Sequence, residues 1–426
     1  MKSTYINLII FHVVIFILFS CKKGPEIVEP SYQAPELSLS EGELYDKVLG
    51  MLVGSAIGDA MGAPTEMWSR ENIYSEYGFV TDLDTMIREV SPEGIWKPNL
   101  PAGGTTDDTR WKILTVNYLF QEDTHSLKSD NFAAHILKVY QEYLLHLNSI
   151  DTLDVEAYEN ALLKVNWLKE WAKVSKPYIE KDLYGFEKRL STFYGGEMVC
   201  GGLLYGPVIG AFFPEDPQKA YSEAHKLALY DIGYAKDISA LSAAMTSAAM
   251  SQTSQNTDLI EVLRNIDPED YYGSRLVGRT SYRILQTAFQ IVSEFKEERS
   301  VSSQEVHLDY GEMKWDESSL KPIFLKLDLH LQDMPFHAGE IYLQVLTAMI
   351  FADFDFEKTL IFLVNYGRDN DTTAAIAGAI LGAYYGFDKL PVSMKRQVLE
   401  VNKKELNIDL EKAAKELSQK IMSRYP

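Results

Sequence analysis

Three short stretches of this chain hold more acid and hydroxyl than local structure needs. The first is Gly103-Gly104-Thr105-Thr106-Asp107-Asp108-Thr109-Arg110. It follows a Pro-rich loop and precedes an apolar helical pattern, so a Thr or Asp there is a natural helix N-cap. One cap residue satisfies that need. Two adjacent carboxylates flanked by hydroxyls exceed it, and all are hard oxygen donors of the kind that hold Mg²⁺, Mn²⁺ or Ca²⁺. Capping and metal binding both stay open for this stretch taken alone. The second is Gly367-Arg368-Asp369-Asn370-Asp371-Thr372-Thr373, again directly before a helical pattern. An EF-hand loop begins similarly but needs Gly at its sixth position and Glu at its twelfth. Ala374 and Ile380 stand there instead, so an EF-hand is excluded. The third is Gly58-Asp59-Ala60-Met61-Gly62-Ala63-Pro64-Thr65-Glu66. Pro64 ends a helix and leaves Glu66 in the loop beyond.

These stretches could act together only if the fold joins them, and the glycines around them suggest how. Gly50, Gly54, Gly58 and Gly62 recur every four residues, as do Gly378, Gly382 and Gly386. Glycine costs about 0.5–1 kcal/mol in a helix interior relative to alanine. A four-residue period places the glycines on one face. The expected return is close approach of two helix backbones, which would bring their acidic ends together. Asp46, Lys47 and Asp59 interrupt the first run, so the pair reads as a soluble one rather than a membrane-spanning dimer.

Elsewhere helical periodicity is common, as at Ala133, Ile136, Leu137, Tyr140 and Leu144, and strand signals are sparse. The fold class is all-α, with a single multi-helical domain over residues 44–426 and residues 296–330 as a surface excursion. Hydrophobic content of 46% and charged content of 24% are those of a globular protein. A net charge of -20 argues against a nucleic-acid surface. Residues 1–20 begin with Lys2, continue as an apolar run from Ile6 to Phe19 and end on Ser20 before Cys21. About 14 apolar residues fall short of the ~20 of a membrane span, so the segment reads as a secretory signal. The cysteine after a small residue resembles a bacterial lipoprotein signal, with Cys21 as the lipidation site. Residues 21–43, with Pro25, Pro30 and Pro35, read as a flexible tether. The expected location is extracytoplasmic, on a lipid anchor at a bacterial membrane.

The three acidic stretches, in their order and spacing, resemble the ADP-ribosylglycohydrolase family, whose motifs are G-D-x-x-G-x-x-x-E, T-D-D-T and G-x-D-x-D-T. The resemblance implies an all-α fold with a binuclear cleft holding two Mg²⁺ (or Mn²⁺). It implies Thr106, Asp107, Asp108, Asp369, Asp371 and Thr372 as metal ligands. Glu66, Asp108 and Asp371 would be the catalytic residues, with Glu66 at the cleft mouth. Asp59 would lie behind the ligands or beside substrate. The Gly-rich stretch from Tyr194 to Pro207 resembles the family's substrate loop, which implies Gly195, Gly196 and Met198 as substrate contacts; a loop that merely packs closely is the other reading. Val199 stands where the family usually has Arg, and a Thr-His found further on is absent, with Ala228 to Asp237 in its place.

Converging carboxylates repel one another and would hold protons unless cations neutralise them. Divalent ions can also grip a ribose diol and polarise the bond at its anomeric carbon. The function expected is release of ADP-ribose, or a related ribosyl group, from a protein or small conjugate. The alternatives are hydrolysis of another ribosyl or nucleoside-type substrate and a surface protein that binds without turnover. Cys200, in an apolar stretch, reads as a buried thiol. The eight histidines lack zinc spacing, and no nucleophile elbow, P-loop or dinucleotide fingerprint is present.

Overall fold

The computed structural model describes residues 36–87, 97, 99–123, 125–302 and 313–425. Among them seventeen α-helices follow one another. They are α1 (Glu41–Gly62), α2 (Arg70–Tyr77), α3 (Asp107–Gln121), α4 (Ser129–Ser149), α5 (Val155–Ile179), α6 (Leu183–Leu190), α7 (Gly206–Phe212), α8 (Pro217–Leu227) and α9 (Ala235–Ala249). There follow α10 (Asn256–Asn265), α11 (Thr280–Ser302), α12 (Glu317–Leu327), α13 (Ala338–Phe351), α14 (Phe356–Tyr366), α15 (Asn370–Tyr385), α16 (Val392–Val401) and α17 (Leu410–Met422). Two strands of two residues, β1 (Met86–Ile87) and β2 (Asn99–Leu100), pair antiparallel. The all-α expectation holds.

Helices α1 and α15 form the centre. From Lys47 to Gly62 every residue of α1 is buried, as is every residue of α15 from Asn370 to Ala383. A helix apolar on all sides belongs in the middle of a core. The two run antiparallel with their glycine faces in contact. A Cβ built on Gly54 would strike Gly378 O, and one on Gly50 would strike Gly382 O. One on Gly58 would strike Ala374 O, and one on Gly62 would lie 2.5 Å from Asp371 N. The backbones therefore meet over four turns, and the C-terminal end of α1 lies against the N-terminal end of α15. Helices α3, α7, α16 and α17 also pack on α1.

Helix α1 begins earlier than the sequence suggests. Ser40 caps it in a capping box with Glu43, Leu39 is buried, and Ser38 N donates to Glu215 at 3.0 Å. Residues 38–43 thus belong to the body rather than to the tether. The described part of the expected 296–330 excursion is largely helical, and α12 buries Leu320, Ile323, Phe324 and Leu327. Alternation of Lys and Ser with these apolar residues hides that face from a simple composition reading. The signal segment, Cys21 and the tether up to residue 35 lie outside the described residues. No helix among the described residues is long and apolar enough to cross a membrane.

Candidate metal centre and cleft

Two helix N-termini and one helix C-terminus converge where α1 meets α15. Thr106 caps α3 through its side chain, and Asp369 stands at the N-cap position of α15. Oxygens of Glu66, Asp369 and Asp371 all lie within 4.8 Å of one another. Thr106 Oγ1 donates to Asp371 Oδ2 at 3.3 Å, and Thr372 Oγ1 donates to Asp108 Oδ2 at 3.0 Å. These cross-links tie the α3 start to the α15 start. Asp107 and Asp108 line the same cavity as Glu66, Asp369, Asp371 and Thr372. Of the six expected ligands, Asp107, Asp108, Asp369, Asp371 and Thr372 line this cavity with Glu66, and Thr106 is joined to it through its bond to Asp371.

The loops that carry the cluster are fastened to each other. Met67 N donates to Arg368 O at 2.7 Å, and Arg368 N donates to Trp68 O at 3.0 Å. Both Met67 and Arg368 sit at positive φ, 65° and 66°, which non-glycine residues seldom adopt. Arg368 is held there by a paired contact of its guanidinium with Glu340, at 2.8 and 2.9 Å. Asn370 Nδ2 donates to Thr65 Oγ1 at 2.9 Å. Glu66 is thereby registered against Asp369 through backbone as well as side chains.

Asp59 lies behind the cluster, not in the cleft. It is fully buried, and its carboxylate accepts from Thr106 N at 2.9 Å, Thr109 N at 3.0 Å and Thr109 Oγ1 at 2.6 Å. Asp59, on α1, pins the start of α3. Asp59→Ala is expected to leave two buried N–H groups of that turn without their acceptor, costing about 1–3 kcal/mol for each. The check is chemical denaturation alongside the Mg²⁺ affinity, both of which should fall.

Gly195, Gly196 and Met198, expected as substrate contacts, shape the loop beside the cavity. None of them lines the cavity, whose wall is formed by Tyr194, Val199, Cys200 and Gly201. Gly195 and Gly196 supply the turn, at φ 76° and 85°. Met198 turns towards Gly233, and its carbonyl accepts from Ala338 N at 2.8 Å. Cys200 is buried, as expected, within the cleft wall. Three groups were not legible as site residues. Trp111 and Trp171 pack with ring centroids 4.1 Å apart and line the cleft, as does Phe336. Lys112, 1% exposed, places Nζ 3.3 Å from Asp108 Oδ1. Its i+4 spacing from Asp108 is the signal that could have found it. Asp231, within the stretch that replaces the Thr-His, accepts from Gly202 N at 2.8 Å and Ser239 Oγ at 2.6 Å, and so fixes the Gly-rich loop.

The electrostatics are those of crowded buried acids. Burial, then the neighbouring Glu66 and Asp108, push Asp369 up to about 8. Burial likewise holds Asp107 and Asp371 well above the ordinary carboxylate range, and Asp59 is pushed up to about 6 by burial and Asp108. In metal-free protein the folded state then binds more protons than the unfolded state from about pH 4 to about pH 8. Stability should fall as pH rises through that window. Thermal melts in chelator are expected to drop by several degrees between pH 5.5 and 8.0. Excess Mg²⁺ should raise the melting point more at pH 8.0, where fewer protons need to leave.

The sequence model of one family, ADP-ribosylglycohydrolase, matches residues 40–426. The chain belongs to the ADP-ribosylglycohydrolase family. Members of this family are hydrolases. An uncharacterized protein of Archaeoglobus fulgidus is 26% identical over 343 residues, which is 80% of this chain and 88% of that protein. ADP-ribosylhydrolase ARH3 of Homo sapiens is 50% identical over 40 residues, 9% of this chain and 11% of that protein. A solved structure described as an ADP-ribosylglycohydrolase-related protein complex matches with a TM-score of 0.51 and 19% identity, covering 89% of this chain and 100% of that chain. At that identity it supports the ADP-ribosylglycohydrolase fold.

Proposed function

We propose that the protein is a metal-dependent glycohydrolase that releases ADP-ribose, or a related ribosyl group, from a protein or small conjugate. The observation that carries this is the meeting of Glu66, Asp369 and Asp371 with Asp107 and Asp108 in one aromatic-walled cleft of about 260 Å³. The residues fit divalent ions. All donors are hard oxygens. Asp59, Glu66, Asp107, Asp108, Asp369 and Asp371 carry six negative charges, and Lys112 and Arg110 beside them return two. The remainder of four equals the charge of two Mg²⁺ or Mn²⁺ ions.

Asp107, Asp108, Asp369 and Asp371, with Thr106 and Thr372, would hold the ions. Bound there, they would supply grip on a ribose diol and electron withdrawal from the anomeric bond. Trp111, Trp171, Tyr194 and Phe336 exclude water from the sugar and offer ring faces to a base. Glu66, partly exposed at the cleft, takes the proton of the attacking water. The hydroxyl adds to the anomeric carbon as the bond to the leaving group breaks, and the leaving atom takes up the proton that Glu66 received, which returns Glu66 to its carboxylate. Thr106, Thr372 and Lys112 keep the acids aimed. Val199, Cys200 and Leu204 make one wall apolar, which favours the second reading, a ribosyl conjugate lacking the diphosphate.

The test is ribosyl release from a panel of arginine-, serine- and nucleic-acid-linked ADP-ribose and of nucleosides, with Mg²⁺ and with chelator. Release that persists in chelator overturns metal dependence. Tight Mg²⁺ binding with no release from any conjugate overturns the enzyme reading. The leader supports a lipid-anchored, extracytoplasmic form. The mass of the mature N-terminus, with Cys21→Ala as control, tests that part.

A further inference from the structure

The first turn of α13 carries a buried carboxylate, Glu340, that stands outside the cleft wall. Its two oxygens accept four hydrogen bonds. Oε1 takes Arg368 Nε at 2.8 Å and Gln344 Nε2 at 2.9 Å. Oε2 takes Arg368 Nη2 at 2.9 Å and Gln332 N at 2.7 Å. Arg368 Nη2 donates in turn to Gln332 O at 2.9 Å. Both backbone polar groups of Gln332 are therefore claimed by one acid–base pair.

Local structure does not ask for this pair. An acid in the first turn of a helix is favoured by the helix dipole alone and needs no arginine. Position 368, at φ 66°, is one that glycine fills without strain. An arginine there is explained by what its side chain reaches. Such a pair adds little net stability, since desolvation offsets attraction. Its forked geometry does fix direction.

The pair joins two parts of the site. On one side, Arg368 exchanges backbone bonds with Met67 and Trp68 and precedes Asp369. On the other side, Gln332 opens the segment that leads into α13. Phe336 of that segment lines the cleft, and its carbonyl accepts from Cys200 N at 3.1 Å. His337 bridges to Val199, and Ala338 N donates to Met198 O at 2.8 Å. Residues 332–338 and 198–200 thus form one piece of wall, tied to the acid loop through Glu340 and Arg368.

We propose that Glu340 is a positioning residue that sets the gap between the acids of the cleft and the wall built from Phe336, Val199 and Cys200. The acids have supports of their own, since Asn370 bonds Thr65 and Thr106 bonds Asp371. Loss of Glu340 therefore frees the wall more than the acids. This role rests on the reading of those acids as a cation-binding, hydrolytic site.

The test is hydrogen exchange, followed by mass spectrometry, on the full chain with and without Mg²⁺, for the parent, Glu340→Gln and Arg368→Gly. Arg368→Gly suits the positive φ and keeps the backbone bonds to residues 67 and 68, so it remains informative if Glu340→Gln folds poorly. In the parent, Mg²⁺ should slow exchange about tenfold at residues 367–372 and about threefold at 332–338 and 198–200. In both variants the slowing at 367–372 should remain and that of the wall should be lost. With a conjugate that is turned over, KM should rise about tenfold in each variant and kcat fall by about threefold at most. Wall slowing that persists in both variants overturns the proposal, as does equal loss of slowing in wall and acid loop, or a fall in kcat as large as the rise in KM. Slowing confined to 367–372 in the parent overturns the proposal alone. No slowing at 367–372 in the parent overturns the cation reading, and the proposal with it.

Discussion

Asp371→Asn is expected to reduce ribosyl release by about 10³-fold or more in kcat/KM and to abolish the dependence of melting temperature on Mg²⁺. Asp371 accepts from Thr106 Oγ1 and from Thr372 N, so it joins both helix starts as well as facing Glu66 and Asp369. The amide keeps that size and most of that bonding. It removes one charge from a set that repels itself. A second result follows from the same geometry. In chelator at pH 8.0 the variant should melt higher than the parent, because a buried anion has become neutral. An inactive variant that is also less stable in chelator would mean that Asp371 is a structural residue. Full activity would remove it from the reaction.

Gly58→Ala should be among the most damaging single-methyl changes in the chain. The added carbon meets the Ala374 carbonyl and comes within 2.8 Å of Ala375 N, all backbone that cannot rotate away. Overpacking of this kind costs about 1–3 kcal/mol and sometimes more. Gly54→Ala and Gly378→Ala should behave alike, since each meets the carbonyl of the other. Gly42→Ala is the contrast: nothing lies within 4 Å, so it should stabilise by about 0.5–1 kcal/mol. Urea unfolding at constant m-value measures all four. For Gly58→Ala a weaker Mg²⁺ affinity is also expected, because Asp59 follows it directly. Equal stability of Gly58→Ala and Gly42→Ala would sink the close-packing account.

The acids were legible in the sequence because each exceeds what a helix cap needs. The glycine spacing was legible because nothing else repays four glycines in one helix. What sequence could not carry was direction. Asp59 and Glu66 sit in one motif, yet one faces the rear of α3 and the other faces the cleft, which depends on where Pro64 turns the chain. Gly195 and Gly196 are signs of a turn, and a turn shows that a loop bends without showing which neighbours it presents. Tyr194 and Val199 occupy the cleft because the bend aims them there. Phe336 comes to the cleft from a position with no motif at all, fixed only by tertiary packing.

The antiparallel pairing of α1 and α15 also governs when the site can exist. Its donors come from Glu66 and from residues 106–108 and 369–372, so the first and last are separated by some three hundred positions. Closing so long a chain segment is entropically slow relative to local helix formation. During synthesis the early acids must wait, apart and solvated, until almost the whole polypeptide has emerged. The acidic centre is therefore a late product of folding, and loss of the last hundred residues would erase it while leaving its first two motifs untouched.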